Sequence, residues 1–282
     1  MTKFLKLAFA VLLFTYATFS QVPESRWATL DGSKIHYYDT GSITAKNAIV
    51  FIHGWSCNAD FWKESYNAFP NYRVISIDLL GHGKSDKPYV AYSMEVFARS
   101  VEAVLTQAKV KKAVLVGHSM GTVVARQFYK LFPAKTLAIV IVDMPVKPFG
   151  TAEEMEKFAE SVTSNNPEST EKFVDGMVAP IDDKEMRAYA RRTMLSTPKH
   201  VAVSAMNEIF DMKNWDSGTI DVPVLAIASK SEMWQPTKDD FTKVAPKVEF
   251  QLWTDVSHFL MMERPALFNG QLKGFVMRNK LL

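Results

Sequence analysis

The stretch VLVGHSMGTVVA, residues 114–125, runs from an apolar β-branched segment through Gly117-His118-Ser119-Met120-Gly121 into the opening turns of a helical pattern. A serine flanked by glycines at such a junction suggests a hydroxyl held at the tip of a tight strand-to-helix turn. The turn strains the serine backbone and crowds its neighbours, and glycines at 117 and 121 carry no Cβ to collide. The pattern alone is weak, so its weight depends on what surrounds it.

Around this stretch, short β-rich runs alternate with helical patterns. The runs are Lys34 to Tyr38, Ala48 to Ile52, Arg73 to Ile77, Ala113 to Val116, Leu137 to Val142, Val222 to Ala228 and Val248 to Leu252. Helical periodicity falls at Asp60 to Ala68, Ser93 to Ala108, Gly121 to Phe132 and Pro265 to Met277. Strands that alternate with helices predict an α/β fold with a mostly parallel, doubly wound sheet covered on both faces. Ile49-Val50-Phe51-Ile52 and Ile139-Val140-Ile141-Val142 are apolar throughout, as strands buried on both sides should be. The rhythm breaks once. Residues 145–221 carry helical stretches and no convincing strand, which predicts a helical lid between two halves of a core, 21–144 and 222–282. Six of the 14 methionines fall in that insertion, at Met155, Met177, Met186, Met194, Met206 and Met212; they are expected as core packing or as a pliable pocket wall.

The 282 residues are 48% hydrophobic and 22% charged, an ordinary globular composition. Residues 1–20 put Lys3 and Lys6 ahead of an apolar run from Leu7 to Ala17 and end in small residues, the layout of a secretory signal peptide. The run is shorter than the roughly 20 residues a membrane span needs, so the expectation is cleavage near Ser20 and export, periplasmic or secreted. Removal takes away two lysines and no acid, leaving 31 basic against 30 acidic residues. No basic cluster points to nucleic acid. The single cysteine, Cys57, excludes an intramolecular disulfide and is expected to be a small buried hydrophobe. No ligand cluster and no Gly-x-Gly-x-x-Gly loop is present, so no metal or organic cofactor is expected.

Taken with four further segments, the serine turn resembles the α/β-hydrolase superfamily over nearly the whole mature chain. FIHGWSCNADFW (51–62) is similar to the His-Gly segment that helps build the family's oxyanion hole, which implies donors at the Trp55 and Met120 amides. DLLGHGKSD (78–86) resembles the loop after the next strand; there Asp78, Gly81, His82 and Gly83 are read as shaping the turn with no chemical role. WTDVSHFLMMERPALFN (253–269) resembles the catalytic-histidine loop and implies His258 as the base. VPVLAIASKSEMWQP (222–236) resembles the segment that carries the acid, where Glu232 stands four positions before Pro236. Asp143, directly after the Leu137–Val142 run, is the competing acid.

The resemblance implies a Ser119–His258–Glu232 triad cleaving a carboxylic ester through an acyl-enzyme. A serine nucleophile argues against the dehalogenase and epoxide hydrolase relatives, which use aspartate. Arylesterases, perhydrolases and non-haem haloperoxidases look most similar; lactonases and carbon-carbon bond hydrolases share the triad, and an acyltransferase or a non-catalytic ligand receptor on the same fold are the readings from other classes. The partner expected is a small ester-like molecule. Phe158, Phe173, Phe210, Trp215 and Trp234 suggest an apolar acyl group.

Overall fold

A computed structural model describes residues 23–282 apart from 165, 216–217 and 231–233; the expected signal segment therefore lies outside the described residues. The sheet has eight strands: β1 (Ser25–Leu30), β2 (Ser33–Gly41), β3 (Asn47–Ile52), β4 (Arg73–Ile77), β5 (Lys112–His118), β6 (Thr136–Val142), β7 (Val224–Ser229) and β8 (Val248–Trp253). Their spatial order is β1-β2-β4-β3-β5-β6-β7-β8. Pairing is antiparallel for β1–β2 and β2–β4 and parallel from β4 to β8. From β3 the chain turns outward to β4 and then returns to pair β5 on the other side. That reversal opens a crevice beyond the carboxyl ends of β3 and β5, where open α/β sheets bind their ligands.

Whereas β8 at the edge is only partly covered, the central parallel strands are buried because helices cover both faces. These are α1 (Met94–Gln107), α2 (Met120–Leu131) and α9 (Pro265–Arg278), with the short α7 (Lys238–Thr242) and α8 (Leu260–Glu263) and a 3-10 segment at Ala59–Ser65 where the sequence suggested an α-helix. Ile49 to Ile52 and Val114 to Val116 are wholly inaccessible to solvent. β1 lies outside the seven runs predicted from sequence, for a physical reason. As an edge strand its SRWATL alternates exposed and sheltered positions, and it never forms an apolar run.

Between β6 and β7 the chain makes α3 (Ala152–Thr163), α4 (Pro167–Val178), α5 (Lys184–Leu195) and α6 (Lys199–Phe210). Thr151 and Glu154 form a reciprocal capping box at the start of α3, and the Asp183 carboxylate caps α5. Met155, Met194 and Met206 are buried, Met177 and Met186 pack partly against the core, and Met212 is exposed. Polar bonds tie α6 to the sheet domain: the Tyr92 N–H donates to Ser204 Oγ at 2.8 Å and the Trp55 indole N–H to Ala202 O at 2.8 Å.

A buried ion pair joins β2 to β4. Arg73 donates from Nε and Nη2 to the two carboxylate oxygens of Asp39, at 2.9 and 2.6 Å. Removing one member leaves an unpaired buried charge, so Asp39→Ala is expected to cost about 3–5 kcal/mol in denaturant unfolding, well above a surface-charge deletion such as Asp182→Ala.

Candidate active site

Ser119 sits between β5 and α2 with φ 51° and ψ −122°, a conformation that costs a non-glycine residue about 1–3 kcal/mol. A Cβ on Gly121 would lie 2.3 Å from the Ile52 carbonyl oxygen, so only glycine lets α2 start this close to β3. Ser119 occupies the N-cap position of α2, yet its side chain makes no capping bond. The hydroxyl is therefore left for another use, and Ser119 is half-buried rather than sealed. Backbone bonds hold the turn: Ser119 N–H to Val142 O at 2.9 Å, and Thr122 N–H to Ser119 O at 2.8 Å.

Parallel register brings the acid alongside. His118 pairs with Val142, and Val142 with Ile227, so Ser119, Asp143 and, two residues past Ile227, Ser229 gather at the carboxyl ends of the strands. Asp143 also adopts a positive φ of 51°. Its carboxylate accepts from the Ser229 N–H at 2.5 Å, the Ser229 hydroxyl at 2.9 Å and His258 Nδ1 at 2.7 Å. A carboxylate can only accept, so Nδ1 carries the proton and Nε2 is left as the acceptor. The Asp143 side chain is 3% exposed and the His258 ring 24%, a buried anchor beneath a reachable imidazole.

Of the two acids the sequence offers, Glu232 and Asp143, it is Asp143 that meets the imidazole among the described residues. The one proton on His258 Nδ1 is already bonded to Asp143, while Glu232 lies outside the described residues. The clue in the sequence is an acid directly following the apolar run Leu137 to Val142. Nothing in the local sequence marks Ser229, which anchors that acid.

The His258 loop is pinned at several points. The Ser257 N–H donates to Glu263 Oε2 at 2.6 Å, the Phe259 N–H to Ser257 Oγ at 3.1 Å, and His118 Nε2 to the His258 carbonyl at 2.8 Å. The two imidazoles lie 4.6 Å apart, centroid to centroid. Burial holds the His118 pKa far below the ordinary value of 6.5, so the ring is a neutral donor beside the partly exposed His258.

Across the crevice, a Cβ on Gly54 would fall 3.3 Å from Ser119 Cβ and 2.9 Å from His118 Nδ1. The Gly54–Trp55 peptide thus lies against the serine. Its carbonyl accepts from the Cys57 N–H at 3.2 Å and from His53 Nδ1 at 2.8 Å; His53 Nε2 in turn accepts the Leu79 N–H at 3.1 Å, which fixes the tautomer. With its carbonyl so held, the Trp55 N–H points the other way. Neither that N–H nor the Met120 N–H at the first turn of α2 is engaged by an acceptor among the described residues. Two free amides beside a serine, one at a helix N-terminus, can receive a developing negative charge. Cys57 is buried and its thiol is pushed up by burial, which leaves it inert.

The family model for the alpha/beta hydrolase fold matches residues 47–195. The chain belongs to the α/β-hydrolase fold family. Relatives include a Streptomyces lividans non-heme chloroperoxidase, 37% identical over 117 residues (40% of this chain, 42% of that protein). The Bacillus subtilis AB hydrolase superfamily protein YisY is 26% identical over 215 residues, covering 69% of this chain and 77% of the relative. Coverage of the curated relatives is thus partial; a Synechocystis sp. protein, 32% identical, is matched over 55% of its length and 58% of this chain. Among solved structures, Est816, described as an N-acyl homoserine lactone degrading enzyme, superimposes with a TM-score of 0.76 at 28% identity, over 89% of this chain and all of that one.

Two imidazoles beneath this α/β-hydrolase site give a pH prediction. Burial depresses the pKa of His53 and takes His82 down to about 3, from 6.5. Below about pH 6.5 the unfolded chain takes up protons that the folded state refuses. The stability contribution is therefore complete above pH 6.5 and erodes as pH falls toward about 3, by up to about 1.4 kcal/mol per pH unit per group. The melting temperature should fall across that window and fall less in His82→Phe; a flat profile would overturn the assignment.

Proposed function

We propose that the protein is a serine hydrolase that cleaves a carboxylic ester or lactone through an acyl-enzyme, with Ser119 as nucleophile, His258 as base and Asp143 as the orienting acid. The observation that carries this reading is the Asp143–His258 bond at 2.7 Å, formed beside a serine whose hydroxyl caps nothing. His258 Nε2 takes the Ser119 proton as Oγ attacks the acyl carbon, and Asp143 stabilises the resulting imidazolium. The Trp55 and Met120 amides hold the tetrahedral oxyanion. The imidazolium returns its proton to the leaving alcohol; water, deprotonated by the same histidine, then releases the acid and frees Ser119.

Aromatic rings support an apolar acyl group. Trp55 meets Phe173 of α4 at 5.8 Å, Phe173 meets Phe158 of α3 at 5.9 Å, and Phe158 meets Phe210 of α6 at 5.0 Å, an unbroken apolar path from the oxyanion loop into the helical insertion. The similarity to Est816 supports including lactones. The layout of residues 1–20 supports export.

Hydrolysis of a p-nitrophenyl ester chain-length series and of an acyl homoserine lactone tests the reading. Ser119→Ala should abolish turnover of both while retaining the native circular dichroism spectrum, and full activity in that variant would end the proposal. Asp143→Asn should lower kcat by about 10⁴-fold, whereas Glu232→Gln should stay within a few-fold of the parent. The reverse ranking would return the acid to Glu232.

A further inference from the structure

A second serine–imidazole–carboxylate array stands on the antiparallel side of the sheet. In the β1–β2 register Ser25 pairs with Tyr38 and Trp27 with His36, so all four side chains share one face. His36 Nδ1 is 2.8 Å from Asp78 Oδ2, and its Nε2 is 2.9 Å from Ser25 Oγ. Asp78 is anchored as firmly as Asp143, accepting the Ala59 N–H at 2.7 Å and the Lys84 N–H at 2.9 Å. An ionised Asp78 puts the His36 proton on Nδ1, so Nε2 accepts the Ser25 hydroxyl proton. His36 is fully buried and held edge-on between Trp27 and Tyr38, with centroids at 5.1 and 4.7 Å; Ser25 is exposed. Lys84 Nζ lies 3.3 Å from Ser25 Oγ and 2.8 Å from the Tyr38 hydroxyl.

From this arrangement we propose that Ser25 is an acylation site, which accepts an acyl group from small activated esters with His36 as base, Asp78 as its orienting carboxylate and Lys84 as the adjacent cation. Ser25 Oγ forms the bond to the acyl carbon as the bond from that carbon to the leaving oxygen breaks. The hydroxyl proton passes to His36 Nε2 and then to the leaving oxygen, so the step needs no further reactant. The donor beside Oγ is a flexible ammonium rather than a pair of backbone amides, a difference that costs acyl transfer about 10²–10³-fold. Ser25 is therefore a stoichiometric acceptor that keeps its acyl group, not a turnover centre. The role takes Asp78 beyond turn-shaping.

The test uses the Ser119→Ala protein incubated with p-nitrophenyl acetate and mapped by peptide mass spectrometry over time. Ser161 and Ser196 are internal references, since both are exposed and their hydroxyls donate to backbone carbonyls rather than to an imidazole. Ser25 should acquire one acetyl group about 10²-fold faster than either reference, the usual contribution of a placed general base. Lys84→Gln, at an exposed position, should slow that labelling severalfold, and His36→Gln should bring it to the reference rate. Ser25→Ala alone should leave Ser119-dependent hydrolysis unchanged. Labelling of Ser25 no faster than Ser161 and Ser196 would overturn the proposal, as would undiminished labelling in His36→Gln. Because His36 is buried and its replacement also tests folding, the comparison of serines within one protein decides the matter by itself.

Discussion

Everything around the candidate centre depends on the reversal of the chain at Ser119. A serine at φ 51° is held there because Gly121 lets α2 press against the end of β3 and because the Ser119 amide is bonded across to Val142. That one interstrand bond joins the turn to the last residue of β6, directly before Asp143. The strained residue is paid for by a sheet whose central strands are wholly buried, so the strain has no local route of relaxation.

Several imidazoles in this protein serve as neutral connectors. His53 holds the Gly54 carbonyl, His118 holds the His258 carbonyl, and burial keeps both uncharged. An imidazole suits these places because one nitrogen donates while the other accepts or rests against apolar surface, without a charge to bury. His258 differs in being partly exposed and in facing a carboxylate. The same residue type thus divides into scaffold and candidate base according to the partner on Nδ1, a backbone carbonyl or, among the described residues, no partner in the first case and a carboxylate in the second.

Trp55 connects the sheet domain to the helical insertion. Its amide lies beside Ser119, its indole N–H reaches α6, and its ring meets Phe173 of α4. Movement of the α3–α6 helices would therefore be felt at the peptide that faces the serine. Coupling of this kind needs no long network, because one side chain touches both parts.

By itself the sequence determined the alternation of strands and helices, hence the α/β class, because burial on both faces writes a continuous apolar run. It also made Ser119 and His258 legible as candidates: a strained turn demands glycines at fixed offsets, and chain order restricts where the base can stand. It missed β1, whose edge position erases the apolar run, and it favoured Glu232 over Asp143. Which carboxylate meets the imidazole is a matter of reach between residues 115 positions apart, and no local pattern encodes that distance. Ser229 beneath Asp143 and Ser25 beside His36 were invisible for the same reason. Only the register of β5, β6 and β7 and the pairing of β1 with β2 decided them, since hydrogen-bonded strands convert remote sequence positions into neighbours a few ångströms apart.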